Sequence, residues 1–188
     1  MRKIPTLFVR DPADMSRVTD EVHPDCAWVA AGEGVATRKL DGTSCLFDGE
    51  AWWKRREVKA GKAPPPDFRE ETHDAATGKR TGWVPVTDGD RWHREAIESR
   101  PEAPTEPGTY ELLGPKVQGN PEGEPAHVMR AHAEAPRMED APRDRVGLER
   151  WLDGRDVEGI VWHHEDGRMA KIKLRDFGLR RGASGSGG

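Results

Sequence analysis

The stretch from Ala36 to Glu57, ATRKLDGTSCLFDGEAWWKRRE, sets Lys39 one residue away from an Asp41-Gly42 pair. Lysine is a poor strand residue and gains little beside a tight turn. Two readings compete. Edge strands often carry lysine to block pairing with other chains. Alternatively the turn holds an amine for nucleophilic attack, which a lysine performs once deprotonated. Two other places carry residues that would complete such a site: Glu158-Gly159 ahead of IVW, and Lys171 and Lys173 alternating in AKIKL. Cations neutralise phosphate oxygens, and a carboxylate holds a metal, so these residue types suit nucleotide chemistry.

The elements that must position them are mostly strands. IPTLFV (4–9), CAWVAA and GVATRKL read as strands, and the Asp41-Gly42 and Asp48-Gly49 pairs mark a meander of hairpins. From Ala60 to Gly108 the chain is polar and proline-rich, with KAPPPDF and RPEAPTEPGT as breakers and one short helix in DGDRWHREAIES. TYELLG reads as a buried strand and GPKVQGNPEGEP as a long loop. PRDRVGLERWLDG is a helix with Pro142 near its start, Val146, Leu148, Trp151 and Leu152 as apolar positions, and Gly154 as a stop.

The last pair, VEGIVWHHEDGRMAKIKL, is two strands joined at Asp166-Gly167. A two-residue turn there opposes Trp162 to Lys171 and Ile160 to Lys173. Val161, His163, Ala170, Ile172 and Leu174 then face a core, while Glu158, Ile160, Trp162, Lys171, Lys173 and Arg175 share the other face. The commonest fate of such a face is simply to meet water. Tryptophan and isoleucine among the charges favour a nucleotide instead, with cations for phosphates, a carboxylate for a metal and apolar area for the base.

A chain of 188 residues with 34% charged and 34% hydrophobic side chains suits one domain with a thin core, expected over residues 1–181 with a flexible Gly/Ser tail at 182–188. A net charge of -4 excludes a global basic field for nucleic acid, so any phosphate contact is local, as around Lys54, Arg55, Arg56 and Lys59. Only Cys26 and Cys45 are present, which fits free thiols in a reducing cytoplasm. The N-terminus lacks an apolar run for a signal peptide or membrane span, so a cytoplasmic protein without a membrane partner is expected. His127, His132 and His163-His164 lack zinc spacing.

In order and spacing, Lys39-Leu40-Asp41-Gly42, Glu111, Glu158-Gly159-Ile160-Val161 and Lys171-Ile172-Lys173 resemble the covalent nucleotidyltransferase superfamily of ATP-dependent ligases and capping enzymes. DGTSC, WWKRR and EGIVWH place the likeness nearest the RNA-ligase branch, which joins 5′-phosphate and 3′-hydroxyl RNA ends. The resemblance implies an α+β fold of antiparallel β-sheets with flanking helices, the ligase adenylation fold. It implies that Lys39 attacks the α-phosphorus of ATP to form a lysyl-adenylate. Such an attack needs the neutral amine, whose ordinary pKa of about 10.4 nearby cations would lower. By the same likeness Lys171 and Lys173 assist the catalytic step and bind phosphate, and Asp41 and Gly42 fix the nucleotide-binding turn. Arg55 or Arg56 contacts phosphate, Glu111 holds ribose hydroxyls, and Glu158 holds Mg²⁺ (or Mn²⁺) directly or through water. Trp162 or Trp83 is the expected base-stacking aromatic. Only a short tail follows the Lys-x-Lys strand, so the OB-fold domain of DNA ligases and capping enzymes is not expected here. Transfer to another acceptor, as in capping or protein adenylylation, and a catalytically silent nucleotide- or RNA-binding module are the alternatives.

Overall fold

A computed structural model describes residues 4–182 of the chain, and the Gly/Ser tail after Gly182 lies outside the described residues. In chain order the elements are β1 (Phe8–Arg10), β2 (Val18–Val22), α1 (Ala27–Ala30), β3 (Val35–Lys39), β4 (Thr43–Phe47), β5 (Trp52–Val58), β6 (Arg69–Asp74), β7 (Lys79–Pro85), α2 (Arg91–Glu98), β8 (Gly108–Leu113), β9 (Val128–Ala131), α3 (Arg145–Leu152), β10 (Gly159–His163) and β11 (Met169–Lys173). The fold is α+β, with antiparallel sheets and few helices, as the sequence implies. The described chain forms two compact units, one of residues 4–40 with 135–182 and one of residues 41–134.

In the first unit the order β11-β10-β3 makes a three-stranded sheet. Both outer strands have their far edges covered. The Lys171 N–H donates to the Pro5 carbonyl at 3.0 Å and the Leu7 N–H to that of Lys171 at 2.8 Å, while Arg38 and Ala36 bond the Pro136–Met138 segment. Leu7, Phe8, Trp28, Val29, Leu148, Leu152, Ile160, Trp162 and Ile172 form the core of this unit. Helix α3 buries Leu148 and Leu152 and is started by Asp144, whose side chain accepts from the Gly147 N–H at 2.8 Å. Val146 stays exposed.

The β10–β11 register corrects the two-residue turn. Gly159 opposes Lys173, Ile160 opposes Ile172, Val161 opposes Lys171 and Trp162 opposes Ala170. The loop is Glu165-Asp166-Gly167, closed by His164 N–H to Arg168 O and Gly167 N–H to His164 O, with Gly167 at a φ of 87°. A left-handed residue in third place is what a three-residue hairpin loop requires, and glycine supplies it. One residue of slip exchanges the faces. Ile160 and Trp162 therefore join Ala170 and Ile172 in the core, while Val161 and His163 move to the face of Lys171 and Lys173.

Two other expectations change. CAWVAA is helical: Pro24 occupies a first-turn position of a 3-10 turn, the His23 ring nitrogen caps the Asp25 N–H, and α1 follows directly. The Asp41-Gly42 pair does not close a hairpin either, because β3 pairs with β10 whereas β4 pairs with β5 and β8.

The second unit holds the six-stranded sheet β6-β7-β5-β4-β8-β9. Cys45, Phe47, Tyr110, Leu112 and Met129 turn one face toward Ala96 of α2. Strands β6 and β7 lie in the stretch expected to be surface connection. The sequence of β6 is polar because it is an edge strand, where charged side chains are tolerated, whereas β7 is paired on both sides and buries Trp83 and Val84.

Trp162 is fully buried in this register. Trp162→Ala is expected to lower unfolding free energy by about 3–5 kcal/mol in a urea titration. A loss under about 1 kcal/mol would put the indole on the solvent face and restore the two-residue turn.

Candidate active site

Lys39 ends β3 directly opposite Gly159, and Gly159 is opposite Lys173 on the other side, so one row of the sheet reads Lys39-Gly159-Lys173. Lys171, Val161 and Thr37 make the next row on that face. A Cβ at position 159 would collide with the Ile172 carbonyl and the Lys173 Cα. Glycine here lets β10 lie close to β11 and leaves the space between the two lysines to the preceding residue, Glu158. Its Oε2 accepts from Lys39 Nζ at 2.5 Å, and its Oε1 accepts from Lys173 Nζ. Lys39 Nζ also donates to its neighbour's carbonyl, Leu40 O, at 3.2 Å. Lys173 is held in turn by its own N–H, which donates to Asp176 Oδ2 at 2.8 Å.

The side chains of Lys39, Glu158 and Lys173 are 21%, 15% and 15% exposed, so their charges interact in a medium well below the dielectric of water. Burial alone would raise the Glu158 carboxyl, but the Lys39 charge and the hydrogen bonds from Lys173 and Lys39 outweigh it and hold the carboxyl below its ordinary range. Lys171 makes no salt bridge among the described residues. Burial, then the charges of Lys173 and Lys39, push its ammonium down to about 8. Three ammonium groups thus gather around the Glu158 carboxylate, while the buried Asp176 nearby is paired with Arg10, so cations prevail here on a protein whose net charge is negative.

Glu111 belongs to the 41–134 unit, where it forms a cluster of its own. It is buried on β8, opposite Ser44 on β4 and Arg130 on β9. Its Oε1 accepts from the Gly42 N–H at 3.1 Å and its Oε2 meets His132 Nε2 at 2.9 Å. Gly42 has no left-handed φ, so its role is not to permit the turn. A Cβ there would strike the Leu112 carbonyl and crowd Glu111 Cγ. Arg55 lies beside Ser44 on the Glu111 face of the sheet, paired with Glu71 and over the Trp83 ring at 4.9 Å. Arg56 alternates to the opposite face and is exposed. Of the two arginines, Arg55 shares the face of Glu111. His132, which no motif singled out, could have been found only by continuing the β8–β9 register to Thr109.

Some expected groups are placed elsewhere. Trp162 and Trp83 are both buried, at 0% and 4% exposure, and neither offers a ring face to a base. Lys54 pairs with Asp90 and Arg55 with Glu71, and the alternation of β5 sends them to opposite faces, so Lys54, Arg55, Arg56 and Lys59 do not make one patch. Mg²⁺ is usually held by one or two carboxylates together with substrate phosphates. Both oxygens of Glu158 accept ammonium protons, and among the described residues no group of three or more His, Cys, Asp or Glu side chains could hold a metal ion. In this geometry Glu158 is a counter-ion for two lysines, one at each carboxylate oxygen.

Residues 90–185 match the family model described as RNA ligase 1, a span that contains Glu111, Glu158, Lys171 and Lys173. Similar proteins include RNA ligase 1 of Mus musculus, 25% identical over 77% of this chain and 67% of that protein. RNA ligase 1 of Danio rerio is 30% identical over 55% of this chain and 42% of its own length. That of Pongo abelii is 27% identical over 69% and 48%.

The buried Lys171 ammonium gives a signed pH effect. Its pKa is about 8 folded and about 10.4 unfolded, so between these values the unfolded chain binds more protons and stability rises with pH. Below pH 8 the penalty is fully present. Lys171→Met is therefore expected to unfold at a higher temperature than the unsubstituted protein at pH 7, with the advantage shrinking by about pH 10. A difference independent of pH would show that Lys171 is not a strained charge.

Proposed function

The chain belongs to the RNA ligase 1 family, and on that premise we propose that it is an ATP-dependent RNA ligase joining 5′-phosphate and 3′-hydroxyl RNA ends through an adenylate on Lys39. The observation that carries the reading is the convergence of Lys39, Lys171, Lys173 and Glu158 on one face of the β11-β10-β3 sheet. The Lys39 Nζ, having lost a proton to water, forms a bond to the α-phosphorus of ATP as the bond to the pyrophosphate oxygen breaks. Lys173 and Lys171 offset the charge that accumulates on the phosphoryl oxygens. Glu158 keeps the two outer ammonium groups apart and aimed at one place, which is a positioning role. The adenylyl group then passes to an RNA 5′-phosphate, whose phosphorus is attacked by a 3′-hydroxyl with release of AMP.

Magnesium, or manganese in its place, accompanies the triphosphate as part of the substrate. Asp41 and Gly42 form the binding turn and Arg55, in preference to Arg56, the phosphate contact. Glu111 takes the ribose. Local cations on an acidic chain mean few phosphate contacts with RNA, so binding falls with salt by a small exponent. No helix among the described residues is long and apolar enough to cross a membrane, and a cytoplasmic role in repairing broken RNA suits such an activity.

Intact mass after incubation with ATP and Mg²⁺ is expected to rise by one AMP, and Lys39→Ala to lose the adduct. In the same preparation 5′-phosphorylated RNA strands should be joined at low salt in preference to matched DNA. An adduct that persists in Lys39→Ala moves the nucleophile elsewhere. Labelling by GTP alone would favour capping chemistry, and sealing of DNA nicks with RNA left untouched would overturn the RNA assignment.

A further inference from the structure

His132 stands at the end of β9, across the sheet from Thr109, and Thr109 and Glu111 lie two apart on β8 and so on one face. The imidazole spans them. Its Nδ1 is 2.9 Å from Thr109 Oγ1 and its Nε2 is 2.9 Å from Glu111 Oε2. A carboxylate only accepts, so Nε2 carries the proton toward Glu111, while Nδ1 meets the threonine hydroxyl, which can donate or accept. The other carboxylate oxygen is fixed by the Gly42 N–H. Glu111 is thereby gripped at both oxygens by groups from β9 and the β4 entrance, and its rotamer is set before any ligand arrives. A carboxylate offers about four lone-pair positions, of which these two bonds use two. The remaining pair can accept from two vicinal hydroxyls, the pattern of a ribose 2′,3′-diol.

We propose that His132, anchored by Thr109, is a positioning residue that orients Glu111 for the ribose diol, and that this relay makes the protein select ribonucleotides over deoxyribonucleotides. The inference rests on the reading of Glu111 as the ribose contact and extends it to two residues that no motif includes. A carboxylate held in one rotamer binds a diol without an ordering loss. One released from His132 swings, and its buried oxygen lacks a partner.

The test is equilibrium binding by calorimetry of unreactive nucleotides, AMP against 2′-deoxy-AMP and 3′-deoxy-AMP, to the full chain and three variants. The unsubstituted protein is expected to prefer AMP by about tenfold or more. His132→Leu should bring that preference to within about twofold, and Thr109→Val should weaken it in the same direction with no loss of shape. His132→Gln, whose amide N–H can stand in for Nε2–H, should restore most of it. If His132→Leu fails to fold, the comparison of Thr109→Val with His132→Gln decides. Equal weakening of all three nucleotides would mean a scaffold role and overturn the proposal, as would full preference retained in His132→Leu and Thr109→Val. Absence of any ribose preference in the unsubstituted protein, with the lysyl-adenylate still formed, overturns this inference alone. A clear preference with no adduct on Lys39 supports the relay and overturns the proposed reaction.

Discussion

One carboxylate shared between two ammonium groups organises the site in the first unit. Without Glu158, Lys39 and Lys173 would face each other across Gly159 as like charges in a half-buried place, with Lys171 adding a third. Burying a charge is unfavourable, and the attraction of an ion pair offsets it only where geometry is good and the remaining protons have acceptors. Here one oxygen serves each lysine. The excess of positive charge is left on the face of the sheet that carries Lys171, Val161 and Thr37. A protein whose net charge is negative thus presents a cationic surface confined to a few side chains.

Two glycines have matching jobs in the two units. Gly159 removes a Cβ that would push β10 from β11, and the adjacent carboxylate, Glu158, takes the room between the lysines. Gly42 removes a Cβ that would meet the Leu112 carbonyl and Glu111 Cγ, and its own N–H bonds the Glu111 carboxylate. In both cases glycine is required by close approach of neighbouring strands rather than by a left-handed backbone. The Asp-Gly and Glu-Gly pairs that stand out in the sequence are packing constraints as much as chemical ones.

The legible part of the sequence was the part with a local cause. Helix α3 was readable from Pro142, the Leu148 and Leu152 spacing and Gly154. The strand of the Lys171–Lys173 pair was readable from its apolar alternation, that of Glu111 from a short apolar run, and that of Lys39 from its place ahead of an Asp-Gly pair. The hairpin register was not, because Asp166-Gly167 is compatible with a two-residue turn and with the last two places of a three-residue loop. Only burial of Trp162 against distant residues decides between them. The separation of β3 from β4 was hidden for the same reason, since pairing with β10 is a contact with residues far along the chain. Strand β6 looked like loop because an edge strand needs no apolar alternation, and β7 because only its second half, Gly82 to Val84, is buried. His132, weighed in the sequence only as a zinc ligand, had no visible partner there, as Thr109 and Glu111 become its neighbours only through the β8–β9 pairing.

The most direct test of this account is a double-mutant cycle on Lys39 and Glu158, unfolding the protein, Lys39→Met, Glu158→Gln and the double variant in urea at pH 7 and low salt. Direct contact between half-buried charges predicts a coupling energy of about 1 kcal/mol or more. Single substitutions that add to within about 0.3 kcal/mol would contradict it. The shared carboxylate would then organise nothing on this face.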